Sequence, residues 1–91
     1  MDTPVRDNPE RGRFELEEAG HVAFANYRRV GGVVQIPHVE AALPLRGTGA
    51  ASRLMEGVAQ RIRREGLKVM PICGYARAWF RRHREHQDLL A

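Results

Sequence analysis

At 91 residues and a formal net charge of +4, the chain suits one small domain spanning residues 1–91 and is too short for two. Cys73 is the only cysteine, which excludes an intrachain disulfide and a thiolate metal cluster within one chain; no stretch approaches the ~18 consecutive apolar residues of a membrane span. Residues 1–20 hold six acids and three bases, residues 61–91 eight bases and three acids, so the C-terminal region favours an anionic partner: nucleotide, nucleic acid, acidic protein or membrane surface.

Residues 1–11, with Pro4 and Pro9, read as an irregular arm. The polar start carries no apolar leader, and the expectation is a soluble cytoplasmic protein. Arg13-Phe14-Glu15-Leu16-Glu17 alternates as a half-buried strand does. Glu18–His21 can turn, and Val22–Val30 is a second extended run. Gly31-Gly32 signals a two-residue hairpin into a third strand, Val33–Val39, in which Pro37 predicts a bulge or an edge position. After the Ala41–Pro44 connection comes Arg46-Gly47-Thr48-Gly49-Ala50-Ala51, small and flexible. Apolar residues then fall at Ala51, Leu54, Met55, Val58 and Ile62, the period of an amphipathic helix, and Glu65-Gly66 stops it. A glycine loop opening into a helix offers unpaired N–H groups and the positive end of the dipole to a phosphate or another anion. The same residues also make an ordinary loop capped at Thr48. Leu67–Cys73 is a fourth strand, joined through a right-handed crossover that makes it parallel to the third. Tyr75–His83 is a short second helix, and residues 84–91 a polar tail ending in Leu89-Leu90. The fold class is α/β, with a mixed sheet.

These motifs in series carry a resemblance. Arg46-Gly47-Thr48-Gly49-Ala50-Ala51 matches the Arg/Gln-x-x-Gly-x-Gly/Ala signature of the GCN5-related N-acetyltransferases. DNPERGRFELE, GHVAFANYRR, His38-x-Glu40, GLKVMPIC and RRHREHQDL extend it from about Arg6 to Leu90, and the chain resembles the small single-domain branch of that superfamily. The resemblance implies a truncated acyl-CoA N-acyltransferase fold: antiparallel strands, a strand–helix–strand crossover and a short C-terminal helix. It implies acetyl-CoA as acyl donor, with no metal. The amides of Gly47, Thr48, Gly49, Ala50 and Ala51 would hold the pyrophosphate, with Arg46 at the mouth of the loop. The pantetheine arm would pair with a splayed strand edge near residues 34–40. The superfamily's N-terminal helices, which wall the acceptor site, are missing, leaving a pocket that is open or completed by a partner subunit such as a second copy. A small amine or a protein-borne amine fits that opening.

Four residues are candidates for chemistry. Glu40 and His38 share a face of an alternating strand, at the end that points toward the thioester in the family. Either can take the proton that an ammonium must lose before attack, Glu40 as base with His38 as alternative or relay; as solvated surface groups they would do neither. Many relatives place a tyrosine on the last helix to protonate the leaving thiolate; Phe80 matches that position here, leaving Tyr75 as a substitute acid. Cys73, at the end of the fourth strand, reads as a buried apolar cysteine or as an acyl-accepting nucleophile. Arg77, Arg81, Arg82 and Arg84 suit a 3′-phosphate, an acidic substrate or solvent. His83 and His86 lack a third ligand at credible spacing, so no metal site is expected. A non-catalytic acyl-CoA-binding module is the alternative to an enzyme. Nucleic acid is not expected as a partner, because there is no helix-turn-helix or zinc pattern and the aromatics are not interleaved for stacking.

Overall fold

The computed structural model describes residues 4–91. Five strands form one sheet in the order β1-β2-β3-β4-β5: β1 Arg6–Asn8, β2 Arg13–Glu18, β3 His21–Val30, β4 Val33–Ala41 and β5 Lys68–Pro71. The first four make an antiparallel meander, and β5 lies parallel to β4. Helix α1, Ala50–Arg64, forms the crossover between them, and α2, Gly74–Arg82, follows β5. Short 3-10 turns occupy Leu43–Leu45 and Arg84–Leu89.

Two features of β4 follow directly from sequence. Gly31 and Gly32 both take positive φ, 55° and 83°, as a type I′ turn demands, and the turn sets Val30 against Val33. Further along, Asn26 pairs with His38 but Arg28 pairs with Gln35, so Ile36 and Pro37 together face the single residue Tyr27. That is a β-bulge, at the proline that predicts one. The extra residue reverses the alternation of faces. Before it, Val34 and Ile36 are buried in the core; after it, Val39 and Ala41 pack toward the core while His38 and Glu40 turn to the other face.

Helix α1 buries Ala50, Leu54, Met55, Val58, Ala59 and Ile62 against Phe14, Leu16, Ala23, Ala25, Val34 and Ile36. Each large side chain so buried contributes ~1.5–3 kcal/mol. Ala50, rather than Ala51, is the fully buried alanine at its start. The helix ends in a Schellman motif: Gly66, at φ 70°, donates to Arg63 O at 3.1 Å and Leu67 donates to Ile62 O at 3.0 Å.

The two chain ends correct the sequence reading. Residues 1–3 of the expected irregular arm lie outside the described residues, but residues 6–8 are the edge strand β1, registered Arg6–Glu15, Asp7–Phe14 and Asn8–Arg13. Tyr27 holds it there, donating to Asp7 Oδ1 at 2.6 Å while stacking on Phe14 at 4.4 Å. Residues 84–91 are no polar tail: His86 and Leu89 are buried, Leu90 bridges Val69, and the Ala91 amide donates to Val69 O at 2.9 Å. Among the described residues, no helix is long and apolar enough to cross a membrane.

Candidate functional site

The parallel pairing of β4 with β5 ends abruptly. Ile36 O accepts from both Ile72 N, at 2.9 Å, and Cys73 N, at 3.2 Å, and there the chain leaves β5 for α2. Pro37 follows on β4 with no N–H to offer a neighbour. Beyond it β4 runs on to Ala41, paired among the described strands only with β3. The Ala42 amide bonds Val22 O, and the antiparallel alternation then turns Glu40 and His38 main-chain groups toward β3 and those of Val39 toward the vacated side. The open edge expected near residues 34–40 thus starts at Pro37; residues 34–36 are paired with β5.

The glycine loop stands at the end of this edge. Gly47 and Gly49 hold φ of 79° and 87°, values that side-chain-bearing residues rarely adopt, and Gly49 is the N-cap of α1. The Thr48 amide donates to Leu45 O at 3.2 Å and the Ala50 amide to Thr48 Oγ1 at 3.3 Å. Among the described residues the amides of Gly47, Gly49, Ala51 and Ser52 have no hydrogen-bond partner. Of the five amides expected to bind an anion, those of Thr48 and Ala50 are therefore engaged, and that of Ser52 is added. Unpartnered donors at the N-terminus of a 15-residue helix fit a phosphate group. Arg46 turns back to tie the loop to the strand, its Nε donating to Ala41 O at 3.1 Å.

A second cation, unmarked by any sequence motif, lies over the loop. Arg53 Nη2 donates to Thr48 O at 3.1 Å, and a side-chain carbon placed on Gly49 would stand 3.0 Å from Arg53 Nη1. Glu18, at the end of β2, receives the Arg53 Nε and Nη2 hydrogens, both at 2.8 Å. That pairing holds the Glu18 carboxyl below the usual carboxylate range and raises Arg53 further.

On the face away from α1, His38 Nε2 lies 3.0 Å from Glu40 Oε1, and the imidazole stands 6.1 Å from the Phe24 ring. Both side chains are about half exposed. Cys73 is half-buried and caps α2, its Sγ accepting from the Ala76 amide at 3.4 Å. Tyr75, in the first turn of α2, is partly exposed, and burial of the rest of its ring raises the phenol above its ordinary value against the opposing charge of Arg82. Phe80 is packed in the core, in edge contact with Trp79 at 5.0 Å.

The remaining candidates sit elsewhere. Arg77 and Arg81 line a hollow of about 360 Å³ with Pro71, Phe80, Gln87 and Leu90, on the side of α2 that meets the C-terminal turn. His83 stacks on Trp79 at 3.8 Å. His86 comes together with Glu56 and Glu85, ligand atoms within 4.8 Å of one another, a grouping that spacing alone conceals because Glu56 is on α1. His86 Nε2 is bonded to Glu56 at 2.8 Å, and Arg63 Nη2 stands 3.4 Å from Nδ1. The guanidinium supplies the positive charge there and the imidazole is occupied on both sides, so the cluster fastens the C-terminal turn to α1.

Comparison with known proteins bears on the family and the fold. A family model described as GCN5-related N-acetyltransferase matches residues 13–89. The NMR solution structure of a GCN5-like protein from Staphylococcus aureus superposes with a TM-score of 0.68 at 22% identity, covering 100% of this chain and 91% of that one. No curated protein matches.

Proposed function

The chain belongs to the GCN5-related N-acetyltransferase family, and from that premise we propose that it transfers an acetyl group from acetyl-CoA to a primary amine. The observation that carries the reading is a junction: amides at the mouth of α1 without a partner among the described residues adjoin a strand edge that those residues leave open from Pro37. Gly47, Gly49, Ala51 and Ser52 hold the diphosphate, and Val39 offers a main-chain donor and acceptor to the pantetheine amides. The carrier supplies the activated acyl group when bound. Glu40, paired with His38 on the open face, takes the proton from the incoming ammonium so that nitrogen can attack. As the amide bond forms and the C–S bond breaks, the nitrogen sheds its second proton to solvent; Tyr75, whose phenol stays protonated at neutral pH, would give its proton to the departing sulfur and recover one from solvent. Cys73 acts here as a cap and a wall.

The reading is tested by heating the protein with and without acetyl-CoA and by incubating it with labelled acetyl-CoA and a panel of amines, products being identified by mass. A ligand at 100 times its Kd stabilises the native state by ~2.7 kcal/mol. Thermal protection and a labelled amine are expected; no protection at saturating acetyl-CoA would remove the reading. A second reading, an acyl-CoA-binding module without turnover, is favoured by the buried Phe80 where relatives carry a hydroxyl. Protection without any labelled product would select it.

A further inference from the structure

The proposed diphosphate site has a cation that the glycine signature does not contain, and the geometry points to Arg53, oriented by Glu18, as the residue that distinguishes a diphosphate-bearing carrier from the bare pantetheine thioester. The inference rests on the reading of the loop as the carrier's site. Its support is the division of labour within one guanidinium. Nε and Nη2 are engaged by the two Glu18 oxygens in a parallel pair, and Nη2 also caps Thr48 O. Nη1 has no partner among the described residues, and it is the nitrogen that lies over Gly49. A planar fork gripped along one side presents its remaining N–H groups in a fixed direction, here at a turn whose own amides at Gly47 and Gly49 have no partner among the described residues.

Arg46, the cation the motif itself supplies, is anchored through Nε alone to Ala41 O at the strand end, so its guanidinium is less firmly oriented than that of Arg53. Arg53 is reached only through the fold. It lies one turn into α1, and the carboxylate that orients it is 35 residues away, at the β2–β3 turn. Glu18 is therefore a positioning residue: its carboxylate touches Arg53 and acts on the carrier only through it. Lysine at position 53 would place charge near the loop, but one ammonium cannot hold both Glu18 oxygens and still present a directed donor over Gly49.

The test measures calorimetric affinities of the full chain for acetyl-CoA and for S-acetylpantetheine, which lacks the diphosphate. Arg53→Ala is expected to weaken acetyl-CoA about tenfold or more while leaving S-acetylpantetheine unchanged. Arg53→Lys should recover only part of the loss. Glu18→Ala should weaken acetyl-CoA several-fold, and the double variant Glu18→Ala/Arg53→Ala should bind as Arg53→Ala alone does, because Glu18 has nothing left to orient. Equal weakening of both ligands would assign Arg53 a purely structural role and overturn the inference, as would an unchanged acetyl-CoA affinity in Arg53→Ala. Failure of the wild-type protein to bind acetyl-CoA at all would instead strike the functional reading beneath it.

Discussion

Replacing Gly49 by alanine separates two contributions at the loop. At φ 87° an alanine is strained by roughly 1–2 kcal/mol relative to glycine. Its methyl carbon would also stand 3.0 Å from Arg53 Nη1, so the guanidinium must give way. Gly47→Ala is the control, since Gly47 sits at φ 79° but an added side-chain carbon there meets none of the described residues within 4 Å. Both variants should therefore lose stability to a similar extent. For a domain of this size each kcal/mol lowers Tm by about 4–8 °C, so a loss of about 5–15 °C is expected in each. Only Gly49→Ala should also disturb Arg53, so it should weaken acetyl-CoA binding more than Gly47→Ala does, and it should do so less when Arg53 is already alanine. Thermal unfolding and calorimetric titration of the wild type, Arg53→Ala, and the two glycine variants with and without Arg53→Ala read both effects. Unchanged Tm in both glycine variants would refute the left-handed geometry of the loop. Equal affinity losses in the two, unaffected by Arg53→Ala, would refute the steric link.

Glu40→Gln should slow acetyl transfer more at low pH than at high pH, where the amine is already deprotonated in solution; pH–rate profiles that superimpose on the wild type would remove Glu40 as base. Cys73→Ala should keep its turnover, measured with the same labelled donor, and complete loss with binding intact would favour an acyl-cysteine route. Deleting Pro37 removes the extra residue of the bulge and leaves β4 in unbroken alternation, with Val34, Ile36, Val39 and Ala41 toward the core and His38 and Glu40 still on the other face, so the deletion variant should keep a cooperative thermal transition; loss of cooperative unfolding would contradict the register described. The Arg63 guanidinium lowers the Asp88 carboxyl from 3.8 to about 2. A depressed carboxyl stabilises the fold above its unfolded value and loses that contribution as pH falls through its folded value. Asp88→Asn should therefore have a slightly lower Tm than wild type at neutral pH, and the gap should close between about pH 4 and 2.

Local rules made much of the fold legible. Gly31-Gly32 dictates its turn, the spacing from Leu54 to Ile62 its helix, Gly66 its stop, and Pro37 its bulge. The ends were not legible for a physical reason. Strand β1 is three residues long and exists because Tyr27 reaches Asp7 from two strands away. The C-terminal turn is held by the contact of His86 with Glu56, 30 residues earlier, and by the bridge of Leu90 to Val69. At the candidate site, the position of the loop and the pairing of His38 with Glu40 could be read from the chain. Which amides stay unpartnered could not, because Leu45 O and Thr48 Oγ1 take those of Thr48 and Ala50 only once the 3-10 turn has formed. Arg53 was hidden likewise, among other arginines, until Glu18 fixed its direction.

The most direct measurement follows each backbone amide by nitrogen–proton correlation spectroscopy as acetyl-CoA is added. The account predicts that the resonances of Gly47, Gly49, Ala51 and Ser52 move most, in the direction of stronger hydrogen bonding, together with that of Val39. Saturation with acetyl-CoA that leaves those five in place, or that moves only residues around Arg77 and Arg81, would contradict it.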